Sequence, residues 1–301
     1  MTVAHFKPTF WSKVLFGSLE KELVFASDLV CNRDYEGEIT NSGDSVNITS
    51  IADPTVSNYT PNGTINYENP NDAGQTLIVD QAKYFAVKVD DVDAAQAAGN
   101  MLNFMENKAG YKVADATDQF IAGLYTSVAP ANQVGTSASP ITPAVYATAT
   151  PADFYTKVLL PLGVKLTQAN VPRDGRRYII VPPWAEALIA QSQGFVAYGT
   201  ATGGVGEVMS NGMIGRIAGF NVLVSNNAVD YAPSANSNQG NWIIQAGHPS
   251  AITFANQIVK TEALRLQTTF ADAVRGLHVY GAKVIAPERF AVAYVQRPTG
   301  I

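Results

Sequence analysis

A single cysteine, Cys31, stands among 301 residues, which excludes an intramolecular disulfide framework and a thiolate metal cluster. Only Arg33 offers a basic neighbour, so Cys31 reads as a structural buried thiol and not a reactive one. Histidine is also scarce: His5, His248 and His278 are far apart and none has a motif neighbour. Charged residues make up 15% of the chain against 47% hydrophobic ones. That is ample for a packed core, and it suits a surface largely covered by partner subunits. The formal net charge of -5 is not the basic excess with which a dedicated nucleic-acid binder neutralises phosphates. No stretch approaches the ~18 uncharged apolar residues that span a bilayer. Met1 to Trp11 shows no positive region leading into a long apolar run, the mark of a secretory signal. The expectation is a soluble protein made in a reducing cytosol, in which Asn47-Ile48-Thr49, Asn58-Tyr59-Thr60 and Asn62-Gly63-Thr64 are chance glycosylation matches.

Catalytic signatures are missing as well. Gly203-Gly204-Val205-Gly206 lacks the further glycine of a dinucleotide fingerprint and the Lys-Ser/Thr of a P-loop, and reads as a flexible loop. There is no Gly-x-Ser-x-Gly elbow. Asp90, Asp91 and Asp93 lack the alternating ligands and glycine of a calcium loop; they suit the positive end of a helix dipole. His278 sits among Leu277, Val279 and Tyr280 and reads as a packed strand histidine. A pair of carboxylates can be brought together by any fold, but nothing in the sequence selects one. No catalytic residue, cofactor or metal is expected.

What is present is an uneven alternation of element types. Phe10, Trp11, Val14, Leu15, Leu19, Leu23 and Val24 fall at helical spacings, with Ser12 as a possible start. From Tyr35 to Val89 the pattern changes to strands. Val46, Ile48 and Ser50 alternate with polar residues, and Phe85, Val87 and Val89 share one face. Between these arms lie Asp53-Pro54, Thr60-Pro61-Asn62-Gly63, Asn69-Pro70-Asn71-Asp72 and Gly74, all turn formers. The pattern predicts a long antiparallel arm with a polar tip and no core of its own; since an isolated two-stranded ribbon is marginal in water, it needs another chain to lie across. Asp90, Asp91 and Asp93 then open a helical region. Val92, Ala95, Gly99, Leu102 and Met105 form a narrow stripe before Gly110, and Val113, Phe120, Ile121, Leu124, Tyr125 and Val128 a wider face after it. Residues 129–151 read as a surface crossing. Phe154, Val158, Leu162 and Leu166 predict a helix bent near Pro161-Leu162-Gly163. The strand Tyr178 to Val181 follows, then a helix with Trp184, Ala187, Leu188 and Ile189, a glycine-rich loop 194–206, and a strand over 215–225. The last third is strand-rich, at 242–244, 251–254, 277–280 and 290–295. The class is α+β, without the regular repetition of a doubly wound sheet.

Four stretches in this order carry a resemblance: Asn32-Arg33-Asp34-Tyr35-Glu36-Gly37-Glu38, Asn170 to Pro183, Gly215 to Asn226, and Gly276-Leu277-His278-Val279-Tyr280-Gly281-Ala282-Lys283-Val284. Together they make the chain resemble the major capsid protein of tailed double-stranded DNA bacteriophages over nearly its whole length. The resemblance implies an N-terminal arm over 1–34, an extended β-hairpin loop (E-loop) over 35–89, a P-domain with a long spine helix over 90–150 and 251–301, and an α/β A-domain over 151–250. It further implies hexamers and pentamers of one chain closing into an icosahedral shell around double-stranded DNA, bound without sequence specificity. A separate scaffolding protein, a portal protein and a decoration protein are the implied partners, with no membrane; the implied location is the virion capsid, assembled in the host cytoplasm. Phe10, Trp11, Asp53, Tyr59, Asn62, Tyr67, Asn69 and Asp72 are the candidate subunit-interface residues. An encapsulin-like compartment enclosing a cargo enzyme is the alternative with the same fold.

Overall fold

A computed structural model describes residues 23–34, 45–51, 55–58, 61, 67, 72–90, 101–145, 153–191, 215–232 and 240–299. The leading segment with Phe10 and Trp11, the loop 194–206, and Asp53, Tyr59, Asn62 and Asn69 lie outside the described residues. In chain order, β1 (Ser45–Ile51), β2 (Asp72–Ile78) and β3 (Gln81–Asp90) precede the helix α1 (Met101–Ala122). Then come β4 (Gln133–Val134), α2 (Leu160–Gln168), β5 (Tyr178–Val181) and α3 (Pro183–Gln191). β6 (Arg216–Ile217), β7 (Phe220–Val224), β8 (Asp230–Ala232) and β9 (Asn241–Gly247) follow. The chain closes with β10 (Ile252–Arg265), β11 (Ala271–Val284) and β12 (Phe290–Gln296).

The main sheet runs β4-β12-β9-β5-β7-β6, with β8 added along β9. β5, Tyr-Ile-Ile-Val, is buried on both faces, as a continuous apolar run in a central strand should be. Its alternate side chains divide the core. Ile179 and Val181 meet Phe154, Leu162 and Leu166 of the α2 region and Trp184 and Leu188 of α3. Tyr178 and Ile180 meet Ile121 of α1, Phe25 and Val30 of the entering turn, and Phe254 and Tyr280 of the second sheet. That second sheet has the order β10-β11-β3, and a separate ribbon pairs β1 with β2. The expected bend near Pro161 takes the form of a π-helical turn over Tyr155–Leu159. The amide of Leu160 donates to Tyr155, an i to i-5 bond that lengthens the turn just before a proline with no N–H to give.

The pairings correct several expectations. β3, with Phe85, Val87 and Val89, is not the second arm of the ribbon: it pairs with β11, from Ala271↔Asp90 to Tyr280↔Gln81. The ribbon's return strand is β2, so Asp72 and Gly74 are strand residues and not turn formers, with Asp72 opposite Ile51 and Gly74 opposite Thr49. Glycine depresses strand propensity, but cross-strand pairing overrides it here. Asp90 ends a strand and caps no helix, and α1 has no acidic residue in its first turn; Asp91 and Asp93 lie outside the described residues. α1 runs through Gly110 without a break. In α3 it is Ala185, not Ala187, that turns inward with Trp184, Leu188 and Ile189. The 130–145 segment lines the sheet, for β4 pairs β12 and buried Asn132 donates to the carbonyls of Glu288 and Phe290 at 2.7 and 3.1 Å. β12 lies beside β9, Phe290 opposite Gly247.

Candidate assembly interface

Among the described residues, the ribbon packs on the body at its root. Leu77 and Val79 are buried against Ala255 and Val279, with Ile48 packed on top. Lys283 donates Nζ to the carbonyl of Thr76 at 2.9 Å, and Gln75 donates Nε2 to that of Ile285 at 2.9 Å. A Cβ at Gly281 would lie 2.5 Å from the carbonyl oxygen of Ile78, so glycine there lets the β2–β3 corner cross β11 at backbone contact. This is the physical content of Gly281 in the fourth stretch of resemblance. Beyond the root the described residues make no core. Val56 is 95% and Tyr67 92% exposed. Of the candidate interface residues, the structure places Tyr67 on the surface and the backbone of Asp72 in β2.

The β10–β11 hairpin has 14 residues in each strand and is roughly 45 Å long, with β3 paired along β11 from Tyr280 out to Ala271. Its outer half carries cross-strand ion pairs, Glu262 opposite Arg275 and Arg265 opposite Asp272, beside the buried side chains of Ala271 and Val274. Such exposed cross-strand pairs contribute at most ~1 kcal/mol each. At its turn Phe270 is 82% exposed.

Elsewhere the chain is fixed by polar devices. At Asn170-Val171-Pro172 the helix α2 ends in a Schellman motif. Asn170 adopts φ 57°, its N–H donates to Thr167 O, and the N–H of Val171 donates to Leu166 O; Val171 and Leu166 share the same core. The proline that follows cannot continue a helix. Arg177, 4% exposed, donates Nε to Pro172 O at 3.0 Å, Nη1 to Thr167 Oγ1 at 3.2 Å and Nη2 to Val171 O. Burial, and secondly the charge of Arg173, push its pKa down. Between β6 and β7, Ala218 at φ 51° and Gly219 at φ 84° form a two-residue loop closing Ile217 onto Phe220, the type I′ geometry.

A buried carboxylate ties α1 to the entering turn. Asp118 accepts from Ala26 N at 3.1 Å and from Asn227 Nδ2 at 2.9 Å, and the same amide reaches Asp115 at 2.9 Å. Burial raises the pKa of Asp118, opposed first by the Asn227 hydrogen bond and then by those from Ala26, Phe25 and Val24. Sequence reasoning missed Arg177, Asp118 and Asn227, because their partners are backbone groups or lie up to 112 positions away. Cys31 is buried, with its thiol pushed up by burial. His278 is buried and stacked on Tyr280 at 5.1 Å, and burial lowers its pKa. His248 gains neighbours invisible in sequence: Nε2 faces Asp174 Oδ2 at 3.1 Å and Nδ1 faces Ser250 Oγ at 2.8 Å. These are the residue types of a hydrolase triad. However, Nδ1 also takes the N–H of Ser250, and Arg289 donates to the same hydroxyl. The cluster caps the short turn Pro249–Ala251 and joins the ends of β9 and β12 to the 170s loop.

The ribbon beyond its root and the turn of the β10–β11 hairpin carry exposed apolar side chains, Val56, Tyr67 and Phe270, on a body fixed by buried contacts. The sequence profile of a family described as phage capsid protein matches residues 73–295. A structure from Mycobacterium phage Che8 is 30% identical, with 97% of this chain and 98% of that one covered and a TM-score of 0.74. A capsid structure of cyanophage P-SCSP1u is similar at 17% identity, 97% and 93% coverage and TM-score 0.72. The capsid of a native GTA particle is similar at 12% identity, 97% and 96% coverage and TM-score 0.64. No curated protein matches the chain. The chain belongs to the phage capsid protein family. It is a major capsid protein of the tailed-phage type, a structural protein of the virion and not an enzyme, and many copies of it assemble into an icosahedral shell. The encapsulin-like alternative is not favoured.

Proposed function

We propose that the ribbon, together with the leading segment, is the principal contact between neighbouring copies in hexamers and pentamers. The observation that carries this is the contrast within residues 45–79: a root buried to 0–1% exposure at Leu77 and Val79, and a tip where Val56 and Tyr67 are more than 90% exposed. Ordering a ribbon costs roughly 1–2 kcal/mol per residue of backbone entropy, and the exposed Val56 and Tyr67 bury no area within their own subunit to offset that cost. Phe10, Trp11, Asp53, Tyr59, Asn62, Tyr67, Asn69 and Asp72 are the proposed contact residues. In this reading 1–34 is the N-terminal arm, 35–89 the extended loop, 90–150 and 251–301 the P-domain, and 151–250 the A-domain. The shell encloses double-stranded DNA without sequence-specific contacts, in keeping with a net charge of -5. It is assembled in the host cytoplasm with a separate scaffolding protein, a portal protein and a decoration protein.

The test removes the tip and leaves the root. Ile51 and Asp72 are opposite each other, so an Asn-Gly link in place of residues 52–71 closes β1 onto β2 through a two-residue hairpin turn. The expected outcome is a soluble, folded subunit that forms no closed particles by electron microscopy. Normal particles would refute the proposal.

A further inference from the structure

We propose that His278 is an acid-sensitive latch between the β10-β11-β3 sheet and α1: the neutral imidazole holds the joint, and a proton on it opens the joint locally. The link runs through Tyr280. His278 stacks on the Tyr280 ring with centroids 5.1 Å apart. Tyr280 in turn meets Phe120 of α1 edge-on at 5.5 Å and is hydrogen-bonded to Thr117 of the same helix. Both His278 and Tyr280 are buried, so a charge added to the imidazole reaches water only by disturbing this stack. Val279, between them in the chain, carries the ribbon root through Leu77 and Val79. The latch therefore also reaches the seat of the ribbon.

The surroundings suit the neutral ring and not the imidazolium. Nδ1 is buried without a hydrogen-bond partner among the described residues. In the imidazolium both nitrogens donate, and a buried charge with no acceptor is strongly disfavoured. β3 sets Lys83 directly opposite His278, a register in which like charges repel, and β10 sets Ile258 opposite on the other side. His278 also borders a groove of about 420 Å³ beneath α1, where the other charged group among the described lining residues is the cation Arg33. α1 lines that groove with Gly110, Val113, Ala114 and Thr117, none of which titrates. Its carboxylates Asp115 and Asp118 are taken up by Asn227, and Asp80, at the β2–β3 corner, acts on Tyr280. Tyr280 itself stays protonated, since burial raises its pKa. A cation over the Tyr280 face gains some attraction, yet that ring offers Nδ1 no acceptor. Burial accordingly lowers the pKa of His278. The unfolded chain takes up this proton at about pH 6.5, and the folded chain only at lower pH. Stability is complete above that range and falls as pH drops through it.

The experiment measures amide hydrogen exchange of the full chain in dissociated subunits at about pH 7.5 and about pH 5.5, one unit either side of the ordinary histidine value, as protection factors corrected for the intrinsic pH dependence of exchange. Protection of α1 from Val113 to Ala122 and of β11 should fall severalfold on acidification. The ceiling is about tenfold, the factor by which one pH unit favours a protonated open form. β5 should hold its protection at both values. His278→Phe keeps an aromatic ring beside Tyr280 but takes up no proton, so its protection should be the same at both values; His278→Gln serves if the Phe variant does not fold. Lys83→Glu, at an exposed strand position, keeps His278 and sets a carboxylate opposite it, so the acid loss should shrink. A parent whose protection ignores pH, a His278 variant that loses as much as the parent, or a Lys83→Glu loss as large as the parent's would each overturn the inference. Every reading is made on free subunits without particle formation, so this inference and the interface proposal fail on different measurements.

Discussion

Arg177→Met removes the guanidinium that closes the α2–β5 connection while keeping most of the apolar stem. Three hydrogen bonds are lost, to the carbonyls of Val171 and Pro172 and to Thr167 Oγ1. An intramolecular hydrogen bond contributes about 0.5–1.5 kcal/mol net, and a buried carbonyl left unsatisfied costs about 1–3 kcal/mol. Against this, the variant no longer desolvates a cation, a cost visible in the lowered pKa of Arg177. The balance is a loss of about 2–4 kcal/mol. For a chain of this size that corresponds to a fall in melting temperature of roughly 4–8 °C, measured by thermal unfolding of dissociated subunits. Arg177→Lys, which keeps the charge but not the planar fork, should fall between the two. A Met variant within about 0.5 kcal/mol of the parent would refute the idea that Arg177 is the fastening of this loop.

Two further substitutions probe single devices. Gly219→Val forces a β-branched residue into a left-handed conformation with no steric neighbour to blame, so it should cost at least ~1–2 kcal/mol and lower the yield of folded subunit, whereas Ala218→Asn should be neutral or stabilising by up to ~1 kcal/mol because Asn-Gly suits the type I′ loop; wild-type yield of Gly219→Val would sink the assignment. Asp118→Asn turns an NH2 group towards N–H donors and should cost about 1–3 kcal/mol. The parent also predicts a pH effect of definite sign. With its pKa raised, the folded Asp118 holds its proton more tightly than the unfolded chain does, so stability falls as pH rises from about 4 through the folded pKa. Denaturant titrations across that window should show the fall in the parent and not in the Asn variant, and identical pH profiles would contradict the account.

Much of the fold was legible wherever one residue type sufficed to fix local geometry. The apolar run of β5, the Asn-Val-Pro helix stop and the glycine at the β6–β7 turn could each be read from a few neighbouring positions. Partners at long range could not. Strand periodicity marked β3 correctly as a strand, but alternation does not say whom a strand pairs with, and β11 is almost 190 positions away. In β2 the residues Asp72 and Gly74 look like turn formers because local propensity is weak against the cross-strand pairing that extends the ribbon. The buried Asp115–Asn227–Asp118 bridge and the Asp174–His248–Ser250 cap joined residues that no short motif connects. For the ribbon the position is similar: the scarcity of large apolar residues near its tip was readable from composition, whereas its buried root at Leu77, Val79 and Val279 required the structure.

Amide hydrogen exchange of β1 and β2, compared between dissociated subunits and closed particles, tests the central claim most directly. Exchange in the outer ribbon should be fast in the free subunit and slow by orders of magnitude in the shell, while β5 and β9 remain protected in both. Equal, strong protection of the ribbon before assembly would show that it is stable without its neighbours, and would contradict the account.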